Sequence, residues 1–379
     1  MRPIQMVDLK RQYAHIKDDV DAAMLEVIEN TAFINGKAVQ QFTEAFANYL
    51  SVKHVIPCAN GTDALQIAMM ALGLEPGDEV ITPSFTYIAT TEVVALLRLK
   101  PVFVEVDRAG FCMDPEALEK AITPKTKAIV PVHLYGQSAD MEKIMAIAQK
   151  HNIPVIEDNA QAIGADYYFS DGTVKKTGTI GTIGCTSFFP SKNLGCYGDG
   201  GAICTHDDAL AARMRMIANH GQSVRYYHDI VGCNSRLDSI QAAVLNVKLP
   251  KLDEYITARR VRRIITTRLL RVPESHCSLP LPNNKHVFHQ YTLLVEGADR
   301  DALHQFLADN RIPSMIYYPV PAHRQKMFAA FGSDQQVLPV TDWLTTRVIS
   351  LPMHTELDAE QLEYITNHIL KFTRNYINH

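Results

Sequence analysis

The sequence predicts an α/β fold with a large domain, built on a mostly parallel sheet flanked by helices, and a smaller α+β domain after it. Three observations predict it. Between His54 and Thr205, short β-rich runs alternate with amphipathic stretches, the signature of strand–helix–strand units. A long helical stretch from Arg236 to about Leu249 meets Pro250, which cannot continue the hydrogen-bond ladder without a kink. A length of 379 residues suits one large core plus a smaller one. The boundary is therefore placed to give domains of residues 1–250 and 251–379.

The chain opens with helical segments. In Ala38 to Tyr49, the residues Val39, Phe42, Phe46 and Tyr49 recur at three- and four-residue spacings. Strands are expected at His54–Pro57, Glu79–Thr82, Pro101–Val106, Ala128–Val132, Val155–Glu157, Thr186–Phe189 and Ala202–Thr205. Helices fill the gaps at Asp63–Leu72, Tyr87–Leu97, Pro115–Ala121 and Met141–Lys150. Past the boundary, Tyr291–Val295 reads as a strand, Arg300–Asn310 as a helix and Asp358–Phe372 as the last helix.

Composition narrows the function classes. An apolar fraction of 47% and a charged fraction of 21% fit a soluble globular protein, and a formal charge of -4 argues against general nucleic-acid binding. The seven cysteines include no CxxC pair and no zinc-like spacing, so reduced thiols and a cytoplasmic location are expected. No apolar run is long enough to span a bilayer, and the histidines do not cluster with acids, so neither a membrane nor a metal is expected.

In open α/β sheets ligands bind at the carboxyl ends of the strands, so the loops there carry the chemistry. CANGTDAL puts Gly61 and Thr62 at a helix start, where free N–H groups and a hydroxyl suit a phosphate, though a plain N-cap uses the same residues. TPSFTYIATTE offers Phe85 and Tyr87, of which Tyr87 is the candidate to stack on a planar ring; either can equally be core. IEDNAQAIGA ends a strand with Glu157 and Asp158, then Gln161, and a carboxylate there calls for a cationic partner such as a protonated heterocyclic nitrogen. SFFPSKNLGCYGDGG sets Lys192 among apolar residues, where desolvation yields an amine nucleophilic toward a carbonyl, with the Ser187 hydroxyl nearby. An anion cradle, an aromatic plate, a buried acid and an amine are the requirements of pyridoxal phosphate.

These loops, in this order, resemble the DegT/StrS family of nucleotide-sugar aminotransferases, a branch of the fold type I pyridoxal-phosphate enzymes. The likeness runs from FINGKAVQQF through PVHLYGQSADM and VGCNSRLDSIQAAVL to YYPVPAHRQ. It implies that Lys192 holds the cofactor's aldehyde, Asp158 partners the pyridine nitrogen and Gln161 lies near the ring hydroxyl. Gly61, Thr62 and Ser187 would bind the phosphate and Tyr87 would stack on the ring. It further implies a homodimer in which Asn234 reaches the phosphate in the partner's site. Within the family the chain is most similar to enzymes that aminate the 3-position of keto sugars. That implies a UDP-linked 3-keto substrate, 2-acetamido-2-deoxy-3-oxo-glucuronate, glutamate as amino donor, and a product destined for surface polysaccharide or lipopolysaccharide.

Arg236 offers a fork for a carboxylate, either the uronate or the donor's, or else an interface ion pair. Tyr317, Tyr318 and His323 complete the expected substrate contacts, His323 and His289 being the weaker candidates, since a lone histidine is more often structural; His133, at a strand end, carries no functional claim. Two departures stand out: Tyr317 replaces the histidine usual in that subgroup, and the Tyr167 to Gly181 hairpin is long. A 4-aminotransferase or dTDP-sugar 3-aminotransferase is the nearer rival. A sugar dehydratase of this fold would carry histidine in place of Lys192.

Overall fold

The computed structural model describes residues 1–270 and 281–377, so Cys277 lies outside the described residues. Nine strands organise the first part of the chain: β1 (His54–Cys58), β2 (Glu79–Pro83), β3 (Lys100–Val104), β4 (Thr126–Ile129), β5 (Ile156–Asp158), β6 (Asp166–Tyr168), β7 (Val174–Lys176), β8 (Ile183–Ser187) and β9 (Gly201–Thr205). One ladder has the order β1-β9-β8-β5 and another the order β3-β2-β4. Parallel bridges from Ile129 to Val155 and from Val132 to Asp158 join them into a single sheet. Only β9 runs against its neighbours, so the sheet is mostly parallel. Helices cover both faces, and β2, β8 and β9 are accordingly buried at every residue rather than alternating.

Close packing also bears on a shift from expectation. The strand expected at Thr186–Phe189 is β8, which starts three residues earlier, at Ile183, and ends at Ser187. Within its IGCTS sequence residue 184 is glycine where other backbone lies directly against the strand: a Cβ there would stand 1.9 Å from the carbonyl oxygen of Gly178. The strand expected to reach Val132 stops at Ile129, since Pro131 has no N–H to donate. The long hairpin forms as β6 and β7, with Asn284–Lys285 pairing on the other side of β6.

The helix expected from Arg236 begins at Ser239, capped by the Asp238 side chain, which leaves Arg236 in the preceding arm. Pro250 sits in a short 3₁₀ turn, and a second helix, Leu252–Leu270, follows at once. Leu252 and Ile256 pack with Phe42, Phe46 and Phe188, whereas Leu270 packs with Tyr291, Leu351 and Ile365. The latter core surrounds the antiparallel pair Tyr291–Leu294 and Val348–Leu351, with helices Arg300–Asp309 and Ala359–Ile377 against it. Ile4 belongs to that core too, and Arg2 pairs with Asp358 at 2.6 Å, so the first residues of the chain pack with its last third. No helix among the described residues is long and apolar enough to cross a membrane.

Candidate active site

A cavity of about 680 Å³ opens where β1, β2, β5 and β8 end. Gly61, Thr62, Tyr87, Asp158, Gln161, Ser187, Lys192, Tyr317 and Tyr318 all line it. At its β1 side the helix Gly61–Ala71 starts with Asn60, whose Oδ1 accepts the Asp63 N–H at 2.8 Å. The first N–H groups of a helix have no acceptor within it, so those of Gly61 and Thr62 are open to an anion. The helix start reaches Ser187 only because residue 61 is glycine: a Cβ there would lie 2.8 Å from the Ser187 Cβ.

The adjacent acids of β5 face opposite surroundings, as alternation along a strand requires. Asp158 lines the cavity, accepting from Thr90 Oγ1 at 2.7 Å and from the Ala160 N–H at 3.1 Å. Glu157 is fully buried on the other side, where the N–H groups of Gly178, Ile180 and Gly181 donate to it at 2.8, 2.7 and 2.6 Å. His133 Nε2 completes that set at 2.8 Å, which makes both Glu157 and His133 supports for the strand end.

Lys192 lies in the loop after β8. Burial lowers its pKa to about 8, against the pull of the Asp158 carboxylate. His289 lines the cavity as well, and its pKa falls well below the ordinary histidine value through burial first, then through the charges of Lys192 and Arg259. Gln161 is held on two sides, its Oε1 accepting the Tyr135 N–H at 2.7 Å and its Nε2 donating to Tyr318 Oη at 3.0 Å. Tyr87 is 56% exposed, its ring centre 6.1 Å from that of Tyr318, whereas Phe85 is buried edge-on to Tyr135. Of the two aromatics in that loop, the structure offers Tyr87 to the cavity and Phe85 to the core.

Three expected residues are not brought to this cavity. His323 is fully buried behind β2, with Nδ1 hydrogen-bonded to Ser84 Oγ at 2.7 Å and Nε2 3.4 Å from Asp342 without a hydrogen bond to it, and it does not line the cavity. Asn234 is exposed and Arg236 half-buried, and neither lines the cavity of its own chain. Their neighbour Ser235 accepts the Ala59 N–H at 3.0 Å, so the arm runs against the loop that carries Gly61. Thr90 and Gln290 were not expected at the site. Thr86 and Thr90, four residues apart in the TYIATTE stretch and 3.2 Å apart through their hydroxyls, were the available signal for the first.

A family model, the DegT/DnrJ/EryC1/StrS aminotransferase family, matches residues 14–370. The chain belongs to that family. This DegT/DnrJ/EryC1/StrS member is 47% identical over 364 residues to the UDP-2-acetamido-2-deoxy-3-oxo-D-glucuronate aminotransferase of Pseudomonas aeruginosa, covering 96% of this chain and 98% of the relative. It is 44% identical over 367 residues to the UDP-N-acetyl-3-dehydro-alpha-D-glucosamine 3-aminotransferase of Acidithiobacillus ferrooxidans, covering 96% of each. It is 45% identical over 376 residues to a pleiotropic regulatory protein of Geobacillus stearothermophilus, covering 98% and 99%. The structure of NtdA from Bacillus subtilis with bound cofactor PMP matches with a TM-score of 0.85 and 30% identity, over 96% of this chain and 82% of that one. The DegT/DnrJ/EryC1/StrS member is thus a fold type I, pyridoxal-phosphate-dependent aminotransferase. Its cavity fits the cofactor on its own terms, because a residue-61 side chain would fill the cradle and the Asp158 carboxylate has neutral donors but no ion pair among the described residues.

Proposed function

We propose that this enzyme moves an amino group from glutamate to the 3-position of a UDP-linked 3-keto sugar, UDP-2-acetamido-2-deoxy-3-oxo-glucuronate, on the way to a surface polysaccharide or lipopolysaccharide. The observation that carries the reaction is the meeting of Lys192 and Asp158 in one cavity with Gly61, Thr62 and Ser187. The sugar rests on the two UDP-sugar relatives, both named for 3-keto substrates and both more than two-fifths identical.

In this reading the Gly61 and Thr62 N–H groups and the Ser187 hydroxyl hold the phosphate. Asp158, fixed by Thr90, keeps the ring nitrogen protonated, and Gln161 stands at the ring hydroxyl. Tyr87 covers the ring. Bound there, pyridoxal phosphate supplies a carbonyl that takes up the amino group and a protonated ring that withdraws electrons from the reacting carbon. Lys192 holds that carbonyl between turnovers and then carries the proton at the substrate carbon, a task suited to an amine with a pKa near 8. Tyr317 and Tyr318 line the wall where the sugar enters.

Asn234 and Arg236 act in a second copy of this chain. The exposed arm sits next to Val224, Tyr226, Tyr227 and Val231, which are 64, 75, 69 and 83% exposed and call for a cover. Arg236 then presents a fork to a carboxylate of the sugar or of glutamate. Residues 1–250 serve as the cofactor-binding domain and 251–379 as the smaller domain.

The test is an assay of the purified protein with glutamate against a panel of UDP- and dTDP-linked 3-keto and 4-keto sugars. The UDP-linked 3-keto uronate should give the highest kcat/KM. A preference for a 4-keto sugar would replace the reading with 4-amination.

A further inference from the structure

Behind the Lys192 loop lies a buried lysine that the proposed chemistry does not use. Lys248 ends the helix Ser239–Lys248 and is 1% exposed. Its Nζ donates to the carbonyl of Gly195 at 2.7 Å and stands 4.3 Å from the centre of the Tyr197 ring. Its partners are thus a carbonyl and an aromatic face rather than a carboxylate. Burying an ammonium without a counter-charge is costly, and a methionine would fill the same space more cheaply. What the charge supplies is a short, directional bond to one carbonyl.

That carbonyl belongs to the residue that closes the lysine turn. The Lys192 N–H donates to Phe189 O and the Cys196 N–H to Phe188 O, both at 2.8 Å, so residues 188–196 fold back on themselves. Gly195 is pressed so closely onto this turn that a Cβ would lie 2.3 Å from the Pro190 carbonyl oxygen. On the other side Asn193 Nδ2 donates to Val287 O at 3.0 Å. The helix that carries Lys248 also holds Tyr197, through Gln241 Oε1 and the Tyr197 N–H at 2.8 Å. Its N-cap Asp238 directly follows the arm with Asn234 and Arg236.

We propose that Lys248 is a positioning residue for Lys192: its ammonium fixes the turn 188–196 by the Gly195 carbonyl and ties the lysine to the helix whose leading arm bears Asn234 and Arg236. This rests on Lys192 being the residue that carries the cofactor. Misplacing a reacting group by about 1 Å can cost about a hundredfold in rate.

The experiment compares the cofactor-loaded wild type with Lys248→Met and Lys248→Arg. Lys248→Met should lower kcat ten- to a hundredfold while leaving KM for the nucleotide sugar within about threefold. It should also weaken the visible circular dichroism of the bound cofactor, which reports how the ring is held, without lowering the melting temperature. Lys248→Arg, which keeps a charged donor, should recover part of both. A folded Lys248→Met enzyme with wild-type kcat and dichroism would overturn the proposal, as would a rate loss that Lys248→Arg does not relieve at all. Should Lys248→Met fail to fold, Lys248→Gln decides by the same measurements. Borohydride reduction and peptide mapping of the wild type keep the two readings apart: label on another lysine would end the assignment of Lys192, whatever the Lys248 variants do.

Discussion

Lys192 and Lys248 flank one loop, and burial lowers the pKa of each to about 8. Their surroundings divide them. Lys192 lines a cavity of about 680 Å³ that it shares with the Asp158 carboxylate, whereas Lys248 is sealed between the Gly195 carbonyl and the Tyr197 ring. A depressed pKa therefore marks desolvation and does not mark reactivity. What separates the amine that meets a substrate from the amine that holds a loop is access. The same lesson recurs one strand away, where Asp158 faces the cavity and its neighbour Glu157 is spent on three backbone N–H groups and His133.

The sharpest way to break this comparison is to remove each amine. Lys192→Ala should abolish turnover while the cofactor still binds without a covalent link, so that borohydride no longer traps it on the protein; against this stands the partial loss expected for Lys248→Met. Measurable turnover by Lys192→Ala would place the reactive amine elsewhere. The acids come next. Asp158→Asn should lower kcat by about 10²–10³-fold, the scale on which a buried group that stabilises reaction charge acts. Glu157→Gln should keep kcat within about threefold and instead cost about 1–3 kcal/mol of stability, because a carboxylate that accepts charge-assisted bonds has been neutralised. Steady-state kinetics and thermal melts on both variants check the pair. An inversion of the two effects would mean that the faces of β5 have been assigned wrongly.

Much of the cavity was legible because its parts are strand ends, and strand ends can be read from runs such as VIED and ITPS. Glycine at 61, the acid at 158 and the lysine at 192 each follow such a run, and β8, although displaced from its expected start, still delivers Ser187 and Lys192 to the same edge. Long-range choices were less legible. Thr90 became part of the site because it meets Asp158 from a different strand–helix unit, a contact that no local pattern encodes. His323 looked like a substrate contact in the PAHRQ segment, yet it turns inward to Ser84, a partner that lies 239 residues earlier. Lys248, in the apolar stretch VLNVKL, reads as a charge at a helix end; only the packing of Tyr197 and Gly195 over it shows that it is buried. The helix Leu252–Leu270 shares its packing between two cores, which a proline at 250 could not reveal.

The smallest expected effect concerns pH, and it isolates the cost of the sealed amine. In the unfolded chain Lys248 titrates near its ordinary 10.5, and in the folded protein at about 8. Below pH 8 it is protonated in both states, and the folded state bears the full penalty of the buried charge. Between pH 8 and 10.5 the unfolded state keeps a proton that the folded state has released, so unfolding free energy rises with pH there. The gain is about 1–3 kcal/mol once damped for relaxation around the amine. Lys248→Met has no such proton to release. Urea melts of wild type and variant, taken with cofactor bound from pH 7 to pH 10, should show the variant the more stable near pH 7 and the difference shrinking as the pH rises. Taking the difference cancels the cysteines and tyrosines that titrate over the same range in both proteins, except Cys196, whose thiol is coupled to Lys248 and rises further when that charge is removed. A gap that stays constant with pH would mean that Lys248 keeps its proton throughout. The ammonium would then be stabilised by the Gly195 carbonyl and the Tyr197 ring well enough to offset its burial, and the two lysines would differ in pKa as well as in access.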